Sequence, residues 1–297
     1  MAADFSRLTV VSVTGVAGPL GGEAAAPSLI HCAAQLPGCR ALMISPERPA
    51  SLPAHIEHRK VKPFGYIVYS AFMLYALEYF IETDFVLVTQ PDGWVLDGAN
   101  WRDEFFDFDY IGAPSVTGLV IEPDGRQDLY NFYRWQAHLG RSGVTVRPVL
   151  NGGFSLRSRR FLSAPRRLAL SIEIPPPNLV YFGEADLAVF ELDWPFGQNA
   201  EDVQLCVLMR EALTSDGLRF APLALALDFS VEYIGEVIHE GRDFSTTFGV
   251  HCKYRRFLGG TPPVIDWTGD ADDLAVVYRQ AEFNEFLKTR YNYTITI

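Results

Sequence analysis

The hydrophobic pattern of the chain is organised around one run. Phe85-Val86-Leu87-Val88 is unbroken, apolar and rich in β-branched residues, and Pro91 and Gly93 follow it. A run that short and continuous, closed by turn residues, predicts a strand buried on both faces, inside a sheet rather than at its edge. Gln90 and Asp92 then stand where the strand leaves the sheet. In open α/β sheets the carboxyl ends of the strands face the crevice where ligands bind. An Asp in a Pro–Gly turn also has a plain role, accepting hydrogen bonds from its own backbone, so the neighbouring pattern has to decide.

Before this run, Leu8–Val13 reads as a first strand and Ala41–Ile44 as a second. Between them a Gly/Ala-rich loop extends through Ala26, and Pro27 opens a helix from Ser28 to Gln35. Strand, loop, helix, strand is the start of a parallel sheet of the nucleotide-binding type. Neither a G-x-G-x-x-G nor a lysine-bearing phosphate loop is present, and Gly18, Gly21 and Gly22 read as a flexible loop. Tyr66–Glu82 predicts a buried helix with Ser70, Glu78 and Glu82 near one face.

After the central run, a short helix is expected over Trp101–Phe106 and a strand over Tyr110–Ala113, halted by Pro114. Ser115–Arg147 is long and weakly periodic, the length of a lid or binding loop. Val149–Leu156 predicts a strand entered through a glycine pair, and Ser158–Leu170 a basic helix. Pro175–Pro177 is a break, with loops through Ala200. Asn199 caps a helix to Leu213. Arg219–Ala221 and the run from Leu223 to Glu232 suggest a strand pair. Ala271–Tyr291 predicts an amphipathic helix, and Tyr293–Ile297 an edge strand.

Composition narrows the functions. The chain has 297 residues, 48% of them hydrophobic, enough for a sizeable core. A net charge of −11 disfavours non-specific binding to nucleic acid or anionic lipid. An anionic ligand must therefore be met by backbone amides, a few Arg or Lys, or a metal. The first residues lack the basic and apolar regions of a signal peptide, and Tyr66–Leu77 is too short to cross a bilayer. Cys32, Cys39, Cys206 and Cys252 form no C-x-x-C and read as buried thiols of a reducing, cytoplasmic protein.

Five segments carry candidate chemistry: Gln90-Pro91-Asp92, Asp109–Pro114, Asn151–Ser158, Glu201-Asp202-Val203 and Phe248-Gly249-Val250-His251. Each alone is ordinary: acids favour helix starts, and paired glycines mark bulges. In this order they resemble the GT-A glycosyltransferase superfamily. Within it they are similar to a GT-A-like family with Q-x-D, D-Y-I-G-A-P, N-G-G-F-S-L-R-S, E-D-V and F-G-x-H motifs. The resemblance covers roughly residues 60 to 255.

It implies one α/β, Rossmann-like domain with a mixed, mostly parallel central sheet flanked by helices. Residues 1–110 would form the nucleotide-sugar half, 111–260 the acceptor half, and 261–297 a C-terminal helix and tail. The implied activity is transfer of a sugar from a nucleotide-sugar donor to an acceptor hydroxyl on a glycan, a lipid-linked saccharide, a protein or a small molecule. Asp92 and His251 match the metal positions, and hard oxygen ligands with one imidazole suit Mn²⁺ or Mg²⁺. Gln90 replaces the first acid of the usual pair. Asp202 matches the general base of inverting members, with Glu201 as an acceptor contact. Gly152 and Gly153 would let a sugar approach the backbone. Trp94, Phe154 and Trp194 would face the acceptor, Trp101 is a further stacking candidate, and Thr14, Glu47 and Arg48 would contact base and ribose. Two other classes remain. A nucleotidyltransferase would need a basic loop after the first strand, and Val16–Glu23 holds no Lys or Arg. A non-catalytic nucleotide-sugar-binding module fits Gln90 but not the joint presence of Asp92, Asp202 and His251.

Overall fold

The computed structural model describes residues 4–182, 189–269 and 279–296. Its elements in chain order begin with β1 (Leu8–Val13), α1 (Ala24–Gln35), β2 (Arg40–Ser45), β3 (Glu57–Lys60), α2 (Tyr66–Tyr75), β4 (Phe85–Thr89) and β5 (Gly93–Val95). Then come β6 (Tyr110–Ile121), β7 (Gln127–Tyr130), β8 (Thr145–Ser158), α3 (Arg159–Arg167) and the hairpin β9 (Asn178–Phe182) with β10 (Val189–Asp193). The remainder is α4 (Glu201–Val203), α5 (Arg210–Ser215), α6 (Leu223–Phe229), β11 (Ser230–Val231), β12 (Gly249–His251), β13 (Arg255–Gly259), β14 (Val264–Trp267), α7 (Gln280–Tyr291) and β15 (Thr294–Thr296).

The main sheet has seven strands in the order β3-β2-β1-β4-β8-β6-β7. β4 lies inside it, as its unbroken apolar run requires. Leu87 packs with α1 residues such as Leu29 on one face. Val86 and Val88 pack with Tyr69 and Met73 of α2 on the other. Burying each of these valines contributes about 1.5–3 kcal/mol. β3, β2, β1 and β4 run parallel, whereas β8 is antiparallel to both β4 and β6, and β7 to β6. Parallel and antiparallel pairings are thus equal in number, and the expected parallel majority is absent.

The cause lies in residues 115–147. They form no loose insertion. β6 continues through Pro114 to Ile121, turns into β7, and the chain returns as β8. Pro114 is tolerated because the register shifts on either side of it, and bulges accommodate the missing N–H. Trp135 and Tyr133 are buried beneath this extension with Leu227 and Tyr233.

Several other expectations need correcting. α2 ends at Tyr75 and a 3-10 turn, Leu77–Phe80, follows. Its first turn is open to solvent, with Tyr66, Ile67 and Val68 all exposed, so only its later turns are buried. α1 starts at Ala24 and carries Pro27 inside it as its fourth residue. Ala200, not Asn199, precedes Glu201 at the next helix start, and a wide turn at Gln204–Leu208 separates α4 from α5. The Leu-Ala run at Leu223 folds as α6, consistent with the helix preference of both residues. Only Ser230–Val231 is left to pair as strand. The helix expected from Ala271 is described from Gln280 onward, and its earlier part lies outside the described residues, as does Ile297. β15 lies at the edge of the sheet β13-β14-β15. Among the described residues no helix is long and apolar enough to cross a membrane. The four cysteines are free thiols, with Cys32, Cys206 and Cys252 buried.

Candidate functional site

The turn after β4 is pinned from inside. Thr89 Oγ1 donates to the Gly93 carbonyl at 2.5 Å, and the Gly93 amide donates to the Gln90 carbonyl at 3.0 Å. β5 then pairs antiparallel with β12, and the Asp92 carbonyl accepts from the Cys252 amide at 2.9 Å. These bonds bring Asp92 beside His251 although 159 positions separate them in the chain. Asp92 Oδ1 lies 3.5 Å from His251 Nε2, and Gln90 Oε1 lies 3.4 Å from the same nitrogen. Gln90 is aimed by its own amide, which donates to the Tyr69 hydroxyl at 2.8 Å.

Glu232 joins the group, and the sequence offered no sign of it. β11 pairs parallel with β12, Ser230 opposite Gly249 and Val231 opposite Val250, so Glu232 follows at the level of His251. Its Oε1 is 4.0 Å from His251 Nδ1 and accepts from Asn151 Nδ2 at 3.1 Å. Asn151 Oδ1 in turn accepts from the Gly153 amide at 2.7 Å, which shapes the glycine pair. Glu232 Oε2 and His251 Nδ1 are buried without hydrogen-bond partners.

Asp202, at the start of α4, accepts from the Gly152 amide at 3.1 Å and from its neighbour Val203 at 2.7 Å. Burial, then the adjacent charge of Glu201, raises its carboxyl to about 7 against the pull of those amides. Burial also raises Glu232 to about 8, with the charges of Asp202 and Asp92 adding and hydrogen bonds from Ser115 and Asn151 opposing. The Tyr66 phenol is raised first by desolvation and then by Asp202, Glu201 and Asp92, which places it in the same field. Near neutral pH Asp202 and Glu232 are therefore each partly protonated.

Arg157 is the cation of this group. It is buried, donates to Glu201 Oε1 at 3.0 Å and to the Gly152 carbonyl at 3.1 Å, and lies 5.3 Å over the Tyr110 ring. Glu201 is 4% exposed. It is therefore held in a buried ion pair and is not presented to an acceptor, contrary to the sequence reading.

The glycine pair also has a different reason from the expected one. A Cβ at Gly152 would lie 2.3 Å from Glu201 Oε1, and one at Gly153 would lie 2.4 Å from both Gln90 Oε1 and His251 Nε2. The space that a side chain would fill is occupied by the site's own groups. Gly153→Ala should thus displace His251 and Gln90 and lower stability by about 1–3 kcal/mol, the usual range for overpacking. Urea titration monitored by circular dichroism measures this, and an unchanged midpoint would contradict the packing.

Of the remaining sequence candidates, Trp94 and Phe154 are core residues and not acceptor platforms. Trp94 is fully buried and donates to the Tyr293 hydroxyl at 3.0 Å, and Phe154 packs against Phe229 and Phe248. Trp101 packs among Phe5, Phe105 and Phe248. Trp194 is held by the Pro175 carbonyl at 3.1 Å. Glu47 and Arg48 line a cavity of about 250 Å³ with Val16 and Gly18. Glu47 accepts there from the Gly18 amide at 3.3 Å. Arg48 is committed to the carbonyls of Pro53 and Ile56, and Thr14 to the Val16 amide.

Whether a divalent cation fits can be judged from the donors. With the His251 proton on Nδ1, toward Glu232, the Nε2 lone pair faces Asp92 Oδ1 and Gln90 Oε1. Three lone-pair donors then meet without a hydrogen among them, which a hard cation relieves. Glu232 stands behind the imidazole, 4.0 Å from Nδ1. Among the described residues no three His, Cys, Asp or Glu side chains are arranged to hold a metal, so the amide oxygen of Gln90 would be the third protein ligand.

Fold and site together define a mixed α/β protein with an acid-rich cluster at the carboxyl end of its central strand. Residues 64–251 match the family described as "Protein of unknown function (DUF5672)". That is more than half of the chain, and the chain belongs to this family. The matched stretch holds Gln90, Asp92, Asn151, Asp202, Glu232 and His251 and ends on the last of them. A comparison with curated proteins finds no match.

Proposed function

We propose that the protein is a glycosyltransferase that moves a sugar from a nucleotide-sugar donor to an acceptor hydroxyl, with GT-A-like use of its sheet. The observation that supports this most is the meeting of Asp92 and His251 at the end of β4, with Asp202 beside Gly152. The site gathers Asp92, Glu201, Asp202 and Glu232 against one buried guanidinium. Such a field repels a bare diphosphate. Asp92, Gln90 and His251 would hold Mn²⁺ or Mg²⁺, which would neutralise the diphosphate as it leaves. Glu232 stands behind the imidazole, 4.0 Å away. Asp202 is the base. It accepts the acceptor's hydroxyl proton while the new glycosidic bond forms at the anomeric carbon and the bond to the diphosphate breaks. A carboxyl raised to about 7 suits that task, because a base near the working pH both ionises and takes up a proton readily.

A titration of UDP and GDP with and without Mn²⁺, followed by a donor screen for nucleotide diphosphate release, tests the reading. Binding without release from any donor would favour the non-catalytic binding module. Asp92→Asn should weaken Mn²⁺-dependent binding at least as much as the loss of an outer-shell partner, about 10- to 100-fold. Its melting temperature should not move, since among the described residues the carboxylate's side-chain ion-pair partner is His251, at 3.5 Å. Equal binding by the variant would remove Asp92 from the site.

A further inference from the structure

A second cavity, of about 750 Å³, lies between the 3-10 turn at Arg134–His138 and the turn that follows β11. Sites for small molecules span about 300–1,000 Å³. It begins close to the acid crevice along the chain. Val116 lines it and follows Ser115, Tyr233 follows Glu232, and Lys253 stands two residues beyond His251.

Three features of its wall point to a ligand. The first is Gln136, which is 5% exposed. Its Oε1 accepts from the amides of Val237 and Ile238 at 3.0 and 3.2 Å, while its Nε2 has no partner. A Cβ on Gly235 would come within 2.5 Å of that nitrogen, so the bare backbone there leaves the donor room. A buried amide donor without an acceptor is costly, and a ligand oxygen in the cavity removes the cost.

The second feature is Phe132. Phe132 and Tyr133 are both left-handed, at φ 55° and 57°, a conformation that bulky residues rarely adopt. Tyr133 is fixed there by its amide on the Val116 carbonyl and its hydroxyl on the Tyr233 carbonyl. The turn so held presents the Phe132 ring at the cavity, 68% exposed. Local strain that displays an apolar ring to solvent marks a contact surface rather than packing.

The third is charge. Arg134 and Lys253 line the cavity without an ion-pair partner among the described residues, while Arg279 is paired with Glu282. Among the described residues Glu236 is the one acid in the wall. A cationic, aromatic cavity in a chain of net charge −11 is a local reversal of sign. A neutral sugar would not use the cations, and inorganic phosphate would not use the ring or the volume.

We propose that this cavity binds a saccharide bearing an anionic group, a carboxylate or a phosphate, as the acceptor's recognised end. The acceptor role rests on the transferase reading, whereas the binding does not. The ring offers a face to the sugar, Gln136 donates to a hydroxyl, and Arg134 and Lys253 meet the anion.

The test is calorimetric titration of the full chain with glucuronate, glucose 6-phosphate, glucose and inorganic phosphate. One of the two anionic sugars should bind at least about tenfold more tightly than glucose and phosphate, the difference of one charge-assisted contact. Which of them does so identifies the anion. Arg134→Gln and Phe132→Asn, the latter keeping a residue that tolerates the left-handed turn, should each weaken that binding about tenfold with an unchanged melting temperature. Asp202→Asn should leave it intact. Equal binding of glucose or phosphate, no binding of either anionic sugar, or indifference to both variants would overturn the proposal. If the anionic sugar binds and no donor is ever turned over, the transferase reading fails and the cavity stands.

Discussion

Asp202→Asn should reduce the transfer rate about 10²- to 10⁴-fold, the usual cost of a lost general base, with nucleotide binding unchanged. The amides of Gly152 and Val203 bond to different oxygens of Asp202, Oδ2 and Oδ1, so the asparagine can accept from only one of them, and it cannot take up the acceptor's proton. The pH dependence sharpens the expectation. Only the ionised carboxylate is a base, so the wild-type rate should rise with pH through about 7, the value to which burial and Glu201 raise Asp202, and the variant should lack that rise. Stability runs the other way. A raised carboxyl binds protons that the unfolded chain has released, so its contribution is complete below the ordinary range, about pH 4. It is lost as pH climbs through the folded value of about 7. The melting-temperature gap between wild type and variant should therefore narrow between about pH 5 and pH 8. Transfer rate, nucleotide affinity and melting temperature at two pH values measure all of this. A variant keeping more than about a tenth of the rate, outside the range of a lost base, would exclude Asp202 from the role.

How far the sequence reached depended on the range of the interaction involved. β1 spans the residues expected of it, and β4 runs one residue past its expected end, because a continuous β-branched run has few other ways to be buried. The approach of Asp92 to His251 was legible only through motif order, since nothing local links them. Glu232 was hidden because its place depends on a two-residue pairing of β11 with β12, too short to leave a periodic pattern. Glu201 misled for a related reason. It looks like a solvent-facing charge at a helix start, and only the fold turns it toward Arg157. Pro114 misled because a proline normally ends a strand, whereas the bulged register of β6 and β8 tolerates it. Trp94 and Phe154 sit next to site residues in sequence, yet strand alternation and the folded turn send them into the core.

Arg157→Met should destabilise the protein by about 3–5 kcal/mol, the cost of leaving a buried charge without its partner. The pair is nearly free of solvent, with side-chain exposures of 1% and 5%. Arg157 also holds the Gly152 carbonyl and the Ser155 hydroxyl, so its loss loosens the glycine pair. Replacing both partners, Arg157→Met with Glu201→Gln, should recover most of the loss, because neither group is then a buried ion. Denaturant midpoints for the two single variants and the double variant complete the cycle. A double variant as unstable as Arg157→Met alone would show that packing, and not charge, accounts for the effect.

The small sheet of β5, β11 and β12 joins three distant parts of the chain, and each brings one member of the crevice: Asp92 precedes β5, Glu232 follows β11, and His251 ends β12. The strands are two or three residues long, so few backbone bonds hold them together. All eight strand residues are nevertheless buried, and Trp94, Val95, Val231 and Val250 share one apolar cluster with Leu87 of β4. What fixes the three side chains relative to one another is therefore the core beneath the main sheet rather than the short ladder, so damage to that core reaches all three together.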